Sequence, residues 1–176
     1  GHLPHAVRRN IDITCIMVNN FVYALTKGQI SPTSPHLERG EGPFLSHEFY
    51  PPVDPMLDMV SYSRTTQSSF IAQGIATDVP HLTWLIEEGI KHKGFSYISV
   101  LSPCVTFNPP ELFDTLRKNA SYLREGEEVE LPNASTEEAW LHDPGNISLA
   151  LSLANVPLLG KPLLGIFFRG KGDGVG

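Results

Sequence analysis

Two neighbouring asparagines, Asn19 and Asn20, stand at the end of the apolar run "IDITCIMV" and just ahead of the polar segment "TKGQ". An amide oxygen is a hard, neutral ligand of the kind Mg²⁺ takes in octahedral geometry, and Mg²⁺ commonly bridges on to phosphate oxygens. Thr26, Lys27, Gly28 and Gln29 then offer an anion a hydroxyl, an ammonium, a closely approachable backbone and an amide. The same asparagine pair also suits a plain turn, because Asn side chains bond their own backbone two residues on. A second candidate is Cys104 in "SPCVTFN", which follows another apolar run. A lone cysteine there reads equally as a small buried hydrophobe. Residue type and spacing leave both features open.

These residues need elements that carry them to one place. "IDITCIMV", "SSFIAQGIA" and "FSYISVL" are short, rich in β-branched residues and largely apolar, as expected of parallel strands covered on both faces. "PMLDMVSYS" predicts a short helix opened by Asp54-Pro55. In "DVPHLTWLIEEGIKHKG" Asp78 is the cap, Leu82, Leu85, Ile86 and Ile90 recur at helical spacing, and Gly94 is the stop. "PPELFDTLRKNA" predicts a further helix behind Pro109-Pro110. This alternation predicts an α/β fold built on a doubly wound, mainly parallel sheet. Ligand crevices of such sheets lie beyond the carboxyl ends of the strands, where Asn19-Asn20 and Cys104 both fall.

Other stretches carry less chemistry. From Ile30 to Pro55 the composition shifts to Pro, Ser, Gly and His and predicts a long functional loop. "LALSLANVPLLGKPLLGIFF" is expected as strand, turn and strand, too broken by Asn155, Pro157, Lys161 and Pro162 to cross a membrane. "REGEEVELPNASTEEAW" is expected as a solvated, partly helical arm. The chain therefore divides into a sheet-building part, 1–120, and a C-terminal extension or arm, 121–176.

With 176 residues, 41% of them hydrophobic, the chain can bury an ordinary domain core. A net charge of -6 without a dense basic block argues against a nucleic-acid surface. Two cysteines, Cys15 and Cys104, set no disulfide framework, so a reducing compartment, the cytoplasm, is expected. His2 with His5, and His36 with His47, form no metal pattern with a further partner. The sequons at Asn119, Asn133 and Asn146 matter only in a secreted protein.

The runs "HAVRRNIDITCIMVNNFVYALTKGQISPTS" and "IKHKGFSYISVLSPCVTFN" together resemble the thiamine-diphosphate-binding β subunit of 2-oxoacid:ferredoxin oxidoreductases, most of all the 2-oxoglutarate type. The resemblance implies that 1–120 is the C-terminal part of a thiamine-diphosphate-binding domain. Thiamine enzymes share a motif that opens with Gly-Asp-Gly and closes with Asn-Asn at a strand end. On that pattern Asn20 gives Mg²⁺ a side-chain oxygen and Val22 gives it a backbone carbonyl. Thr26, Lys27, Gly28 and Gln29 then lie over the diphosphate, and Cys104 completes a 4Fe-4S cluster whose other ligands lie upstream. The implied partners are an α subunit, ferredoxin, coenzyme A and a 2-oxoacid. The α subunit supplies the acidic group that activates thiamine, so no catalytic acid or base is assigned in this chain.

The opening Gly-Asp-Gly is not found ahead of Asn19, while Gly172-Asp173-Gly174 stands on the wrong side of it and is read as coincidence or tail. The first residues, "GHLPHAVRRN", read as the tail of a helix, so the sequence is expected to be a piece of a longer protein. A truncated docking subunit and a thiamine enzyme that uses no ferredoxin remain as alternatives.

Overall fold

A computed structural model describes residues 2–34, 55–67, 69–129, 140–156 and 161–172. In chain order these form α1 (Leu3–Arg8), β1 (Thr14–Asn19), β2 (Val22–Tyr23), β3 (Gln29–Ile30), α2 (Pro55–Ser63), β4 (Phe70–Ile75) and α3 (Val79–Lys91). They continue as β5 (Ser96–Leu101), α4 (Glu111–Asn119), β6 (Ser121–Leu123), β7 (Glu128–Val129), β8 (Trp140–Leu141), α5 (Ile147–Ala154) and β9 (Leu163–Arg169). No helix among the described residues is long and apolar enough to cross a membrane.

The main sheet has the order β1-β5-β4-β9-β6. β1, β5 and β4 run parallel, as their apolar runs predict, and their carboxyl ends are level: Leu101 pairs with Asn19 on one side and Ile75 on the other. That alignment gathers the loops after β1 and β5 at one place. β9 enters antiparallel to β4 and parallel to β6, so the sheet is mainly parallel with one reversal.

Every residue of β4 and β5 is buried, and alternate ones face opposite layers. Phe70 and Ala72 cluster with Leu85, with Leu82 packed against them, under α3. Ile71 clusters with Val7, Met59, Val60, Leu149 and Leu153 of α1, α2 and α5. At the carboxyl end Phe21, Ile75, Leu101, Leu116 and Leu164 form a third cluster beneath α4. Each such large side chain contributes about 1.5–3 kcal/mol when fully buried.

α3 begins where Asp78 predicts, its carboxylate accepting from the His81 amide at 3.2 Å. Ile90, which its spacing assigns to the buried side, is 66% exposed. Gly89 faces the sheet instead, so close that a Cβ there would lie 2.9 Å from Ile98 Cδ1.

Among the described residues β1 is the outermost strand of the sheet, with Ile16 and Val18 46% and 62% exposed, while α3 lies over β4 and β5. Two expectations are corrected. The first half of "LALSLANVPLLGKPLLGIFF" is helix α5, not strand. Asn146 caps it by accepting from Ser148 and Leu149 amides, and Leu149, Ala150, Leu153 and Ala154 fall on one buried stripe. The tail is not an arm in its described parts, since β6 and β9 extend the sheet and α5 joins the core. β7 and β8 pair at the two ends of the acidic segment, whose residues 130–139 lie outside the described residues. So do 35–54 of the predicted loop, with His36 and His47, and the last two residues of Gly172-Asp173-Gly174.

Candidate functional site

β1 ends in two asparagines whose side chains do different work. Asn19 is 4% exposed, and its Oδ1 accepts from the Phe21 amide at 3.1 Å and from Thr33 Oγ1 at 2.7 Å. Asn20 is half-buried, and its Oδ1 accepts from the Val22 amide at 3.3 Å. Between them the chain turns sharply at Phe21, which has φ +60°, a left-handed conformation costly for a bulky residue. Burial in the third core cluster and a hydrogen bond from Ser34 Oγ to the Phe21 carbonyl hold it there. The turn makes Asn20 and Val22 neighbours in space as well as in sequence.

Residues 22–30 form the hairpin β2–β3, with Val22 opposite Ile30 and Tyr23 opposite Gln29. The Lys27 amide donates to Ala24 and the Gly28 amide to Tyr23, at 3.1 Å each. Lys27 and Gly28 take φ +76° and +93° in succession. Thr26, Lys27 and Gln29 are exposed, and Thr26 Oγ1 donates to the Tyr23 carbonyl at 3.4 Å. Gly28 is buried: a Cβ there would lie 2.7 Å from Phe107 Cδ1.

The Cys104 turn docks on this loop. The Asn20 carbonyl accepts both the Cys104 amide at 3.2 Å and Asn108 Nδ2 at 2.9 Å. The Asn108 amide donates to the Cys104 carbonyl at 3.0 Å and closes the turn. Thus Asn20, Val22, Gly28 and Cys104 are brought together, while Thr26, Lys27 and Gln29 project from the hairpin. Phe21, Thr33, Ser34, Phe107 and Asn108 lie within the runs that carry the family resemblance, but neither residue type nor spacing singles them out there.

The donors fit magnesium in kind. A carbonyl-type oxygen has two acceptor positions, so the single hydrogen bond on Asn20 Oδ1 leaves it able to bind a hard cation. Asn19 Nδ2 and Asn108 Oδ1 are buried without a partner, so polar capacity at this loop is incomplete. For a 4Fe-4S cluster the fit is one thiolate of four. Cys15, opposite Tyr97, lies about 13 Å down the strands from their ends at 3.3 Å per residue. Burial pushes its thiol pKa up, as in a structural cysteine. Among the described residues no three His, Cys, Asp or Glu side chains could hold a metal ion together.

A cavity of about 670 Å³ lies elsewhere, between α3 and the β6–β9 edge, with Asp78, His81, Trp84, Tyr122, His142 and Arg169 in its lining. Tyr122 donates to Asp78, which holds the Asp78 carboxyl below the usual carboxylate range. Burial pushes the His81 and His142 pKa values down.

Residues 1–100 match the family model described as thiamine pyrophosphate enzyme, C-terminal TPP binding domain. The chain belongs to that family. A 2-oxoacid:ferredoxin oxidoreductase subunit beta from Sulfolobus sp is 44% identical to this thiamine pyrophosphate domain over 108 residues, 61% of this chain and 34% of that protein. The 2-oxoglutarate synthase subunit KorB of Methanothermobacter marburgensis is 34% identical over 143 residues, 74% of this chain and 48% of the relative. The chain thus spans half or less of these curated relatives. The solved 2-oxoglutarate:ferredoxin oxidoreductase from Magnetococcus marinus, with 2-oxoglutarate, coenzyme A and succinyl-CoA bound, aligns with a TM-score of 0.75 at 28% identity. That match covers 99% of this thiamine pyrophosphate chain and 53% of the other.

Proposed function

We propose that this chain is part of the β subunit of a cytoplasmic 2-oxoacid:ferredoxin oxidoreductase of the 2-oxoglutarate type. The observation that carries the reading is the division between the two asparagines: Asn19 faces inward and holds the turn, while Asn20 keeps an amide oxygen beside Val22 at the level end of the sheet. The reaction is oxidative decarboxylation of a 2-oxoacid to its acyl-coenzyme A, with ferredoxin as electron acceptor and an α subunit completing the site. When bound, thiamine diphosphate supplies the nucleophilic carbon and the electron sink for that chemistry.

This chain's own part is placement and charge. Asn20 Oδ1 and the Val22 carbonyl would hold Mg²⁺, and the ion would supply charge to offset the diphosphate. The consecutive left-handed residues Lys27 and Gly28 bend the loop back towards β3, and Lys27 provides a cation for the distal carboxylate of 2-oxoglutarate. Cys104 contributes one thiolate to a 4Fe-4S cluster, with the remaining ligands from elsewhere in the protein.

The test is thiamine diphosphate binding to the full-length protein paired with its α subunit, with Mg²⁺ present and then chelated. The reading expects saturable binding that chelation abolishes. Binding that ignores Mg²⁺ would contradict the roles given to Asn20 and Val22.

A further inference from the structure

The turn Cys104–Asn108 touches both ends of the hairpin loop that follows β1. At one end the Asn20 carbonyl accepts the Cys104 amide and Asn108 Nδ2. At the other, the Phe107 ring occupies the space in front of Gly28 that any side chain would fill. The turn is itself closed by the hydrogen bond from the Asn108 amide to the Cys104 carbonyl. Asn108 is 6% exposed and therefore held, not free to sample other partners. The strained Phe21 and the left-handed pair Lys27-Gly28 are conformations that persist only where surrounding contacts over-determine them.

We infer that Asn108 and Phe107 are positioning residues that brace the cofactor loop, so that the Cys104 turn and the Asn20–Gly28 loop move as one unit. The inference rests on the thiamine diphosphate reading above. Asn108 Nδ2 fixes the peptide after Asn20 and so the direction of the Asn20 side chain. Phe107 sets how far the Lys27-Gly28 bend sits from the sheet end. Neither side chain needs to touch the cofactor, and their loss acts on its affinity and not on the chemistry once it is bound.

The experiment uses the full-length protein in complex with its α subunit and measures thiamine diphosphate affinity, kcat at saturating cofactor, and amide hydrogen exchange. Asn108→Ala removes the donor, and Asn108→Asp replaces it with an oxygen that repels the Asn20 carbonyl. Both are expected to weaken thiamine diphosphate binding about ten-fold or more, with kcat at saturation within about two-fold of wild type. Phe107→Ala weakens binding in the same way, and Phe107→Leu, which keeps an apolar plug, restores most of it. In the wild-type complex the Cys104 and Gly28 amides are expected to open to exchange together, a readout that stands even if a variant fails to fold. Wild-type binding matched by Asn108→Ala and Phe107→Ala, or Cys104 and Gly28 amides that open independently, would overturn the brace. Failure of the wild-type complex to bind thiamine diphosphate would instead overturn the reading beneath it.

Discussion

The loop after β1 and the groove beside α3 are opposites in construction. The loop is shaped by backbone hydrogen bonds, neutral amides and three left-handed residues, Phe21, Lys27 and Gly28. The groove encloses about 670 Å³ and gathers Trp84, Tyr122, Arg169 and titratable groups with shifted pKa values. Each region keeps two buried polar atoms without partners: Asn19 Nδ2 and Asn108 Oδ1 at the loop, His81 Nδ1 and His142 Nδ1 at the groove. Cavity size and perturbed ionisation alone favour the groove. The family match, over residues 1–100, contains the loop but not Tyr122, His142 or Arg169.

Substitutions can break this contrast. Gly28→Ala is expected to do the greatest damage, because the new Cβ meets Phe107 at 2.7 Å in a backbone with φ +93°. Left-handed strain alone is about 1–2 kcal/mol, so the melting temperature should fall by roughly 2–8 °C and cofactor binding with it. An unchanged melting temperature would show the Phe107 contact to be loose. Lys27→Gly is next: KM for 2-oxoglutarate should rise about ten-fold while that for pyruvate barely moves, as for loss of one charge-assisted hydrogen bond. Equal effects on both substrates would leave Lys27 as a diphosphate contact or a solvated charge.

The groove answers to pH. Burial holds His81 and His142 neutral, their pKa values below the ordinary histidine range. The unfolded chain therefore takes up protons first, so the stability these groups contribute is present above pH about 6.5 and is lost as pH falls below it. Thermal melts between pH 7.5 and 5.5 should show the decline, and His142→Gln should shrink it. A pH-independent melting temperature would contradict the assignment. Smallest of all, Trp84→Ala should change thiamine diphosphate affinity by less than about two-fold, since its half-exposed ring lines the groove towards β6 and β9 and not the loop after β1. A larger loss would join the groove to the cofactor site.

Much of the sheet was legible in the sequence. The runs ending in Val18, Ala76 and Leu101 contain the parallel strands β1, β4 and β5, and Asp78 capped the helix it predicted. What stayed hidden was context. The apolar content of β1 is the same whether a strand is central or at an edge, and nothing local marks Ile16 and Val18 as exposed. "ISLALSLA" fits strand or helix by hydrophobicity, and only the Asn146 cap and the stripe Leu149, Ala150, Leu153, Ala154 decide for helix. The position of Asn20 at a strand end was readable, and the family resemblance makes it a candidate ligand. Asn108 and Phe107 were not, because their roles depend on a carbonyl 88 residues away and on the empty face of Gly28.

The central claim, that Asn19 holds the turn while Asn20 holds the metal, is tested most directly by titrating thiamine diphosphate with Mg²⁺ into the full-length complex carrying Asn20→Ala. The account predicts an unchanged melting temperature without cofactor and affinity lowered by about 100-fold or more, beyond what loss of an outer-shell partner costs. Wild-type affinity in Asn20→Ala would contradict it.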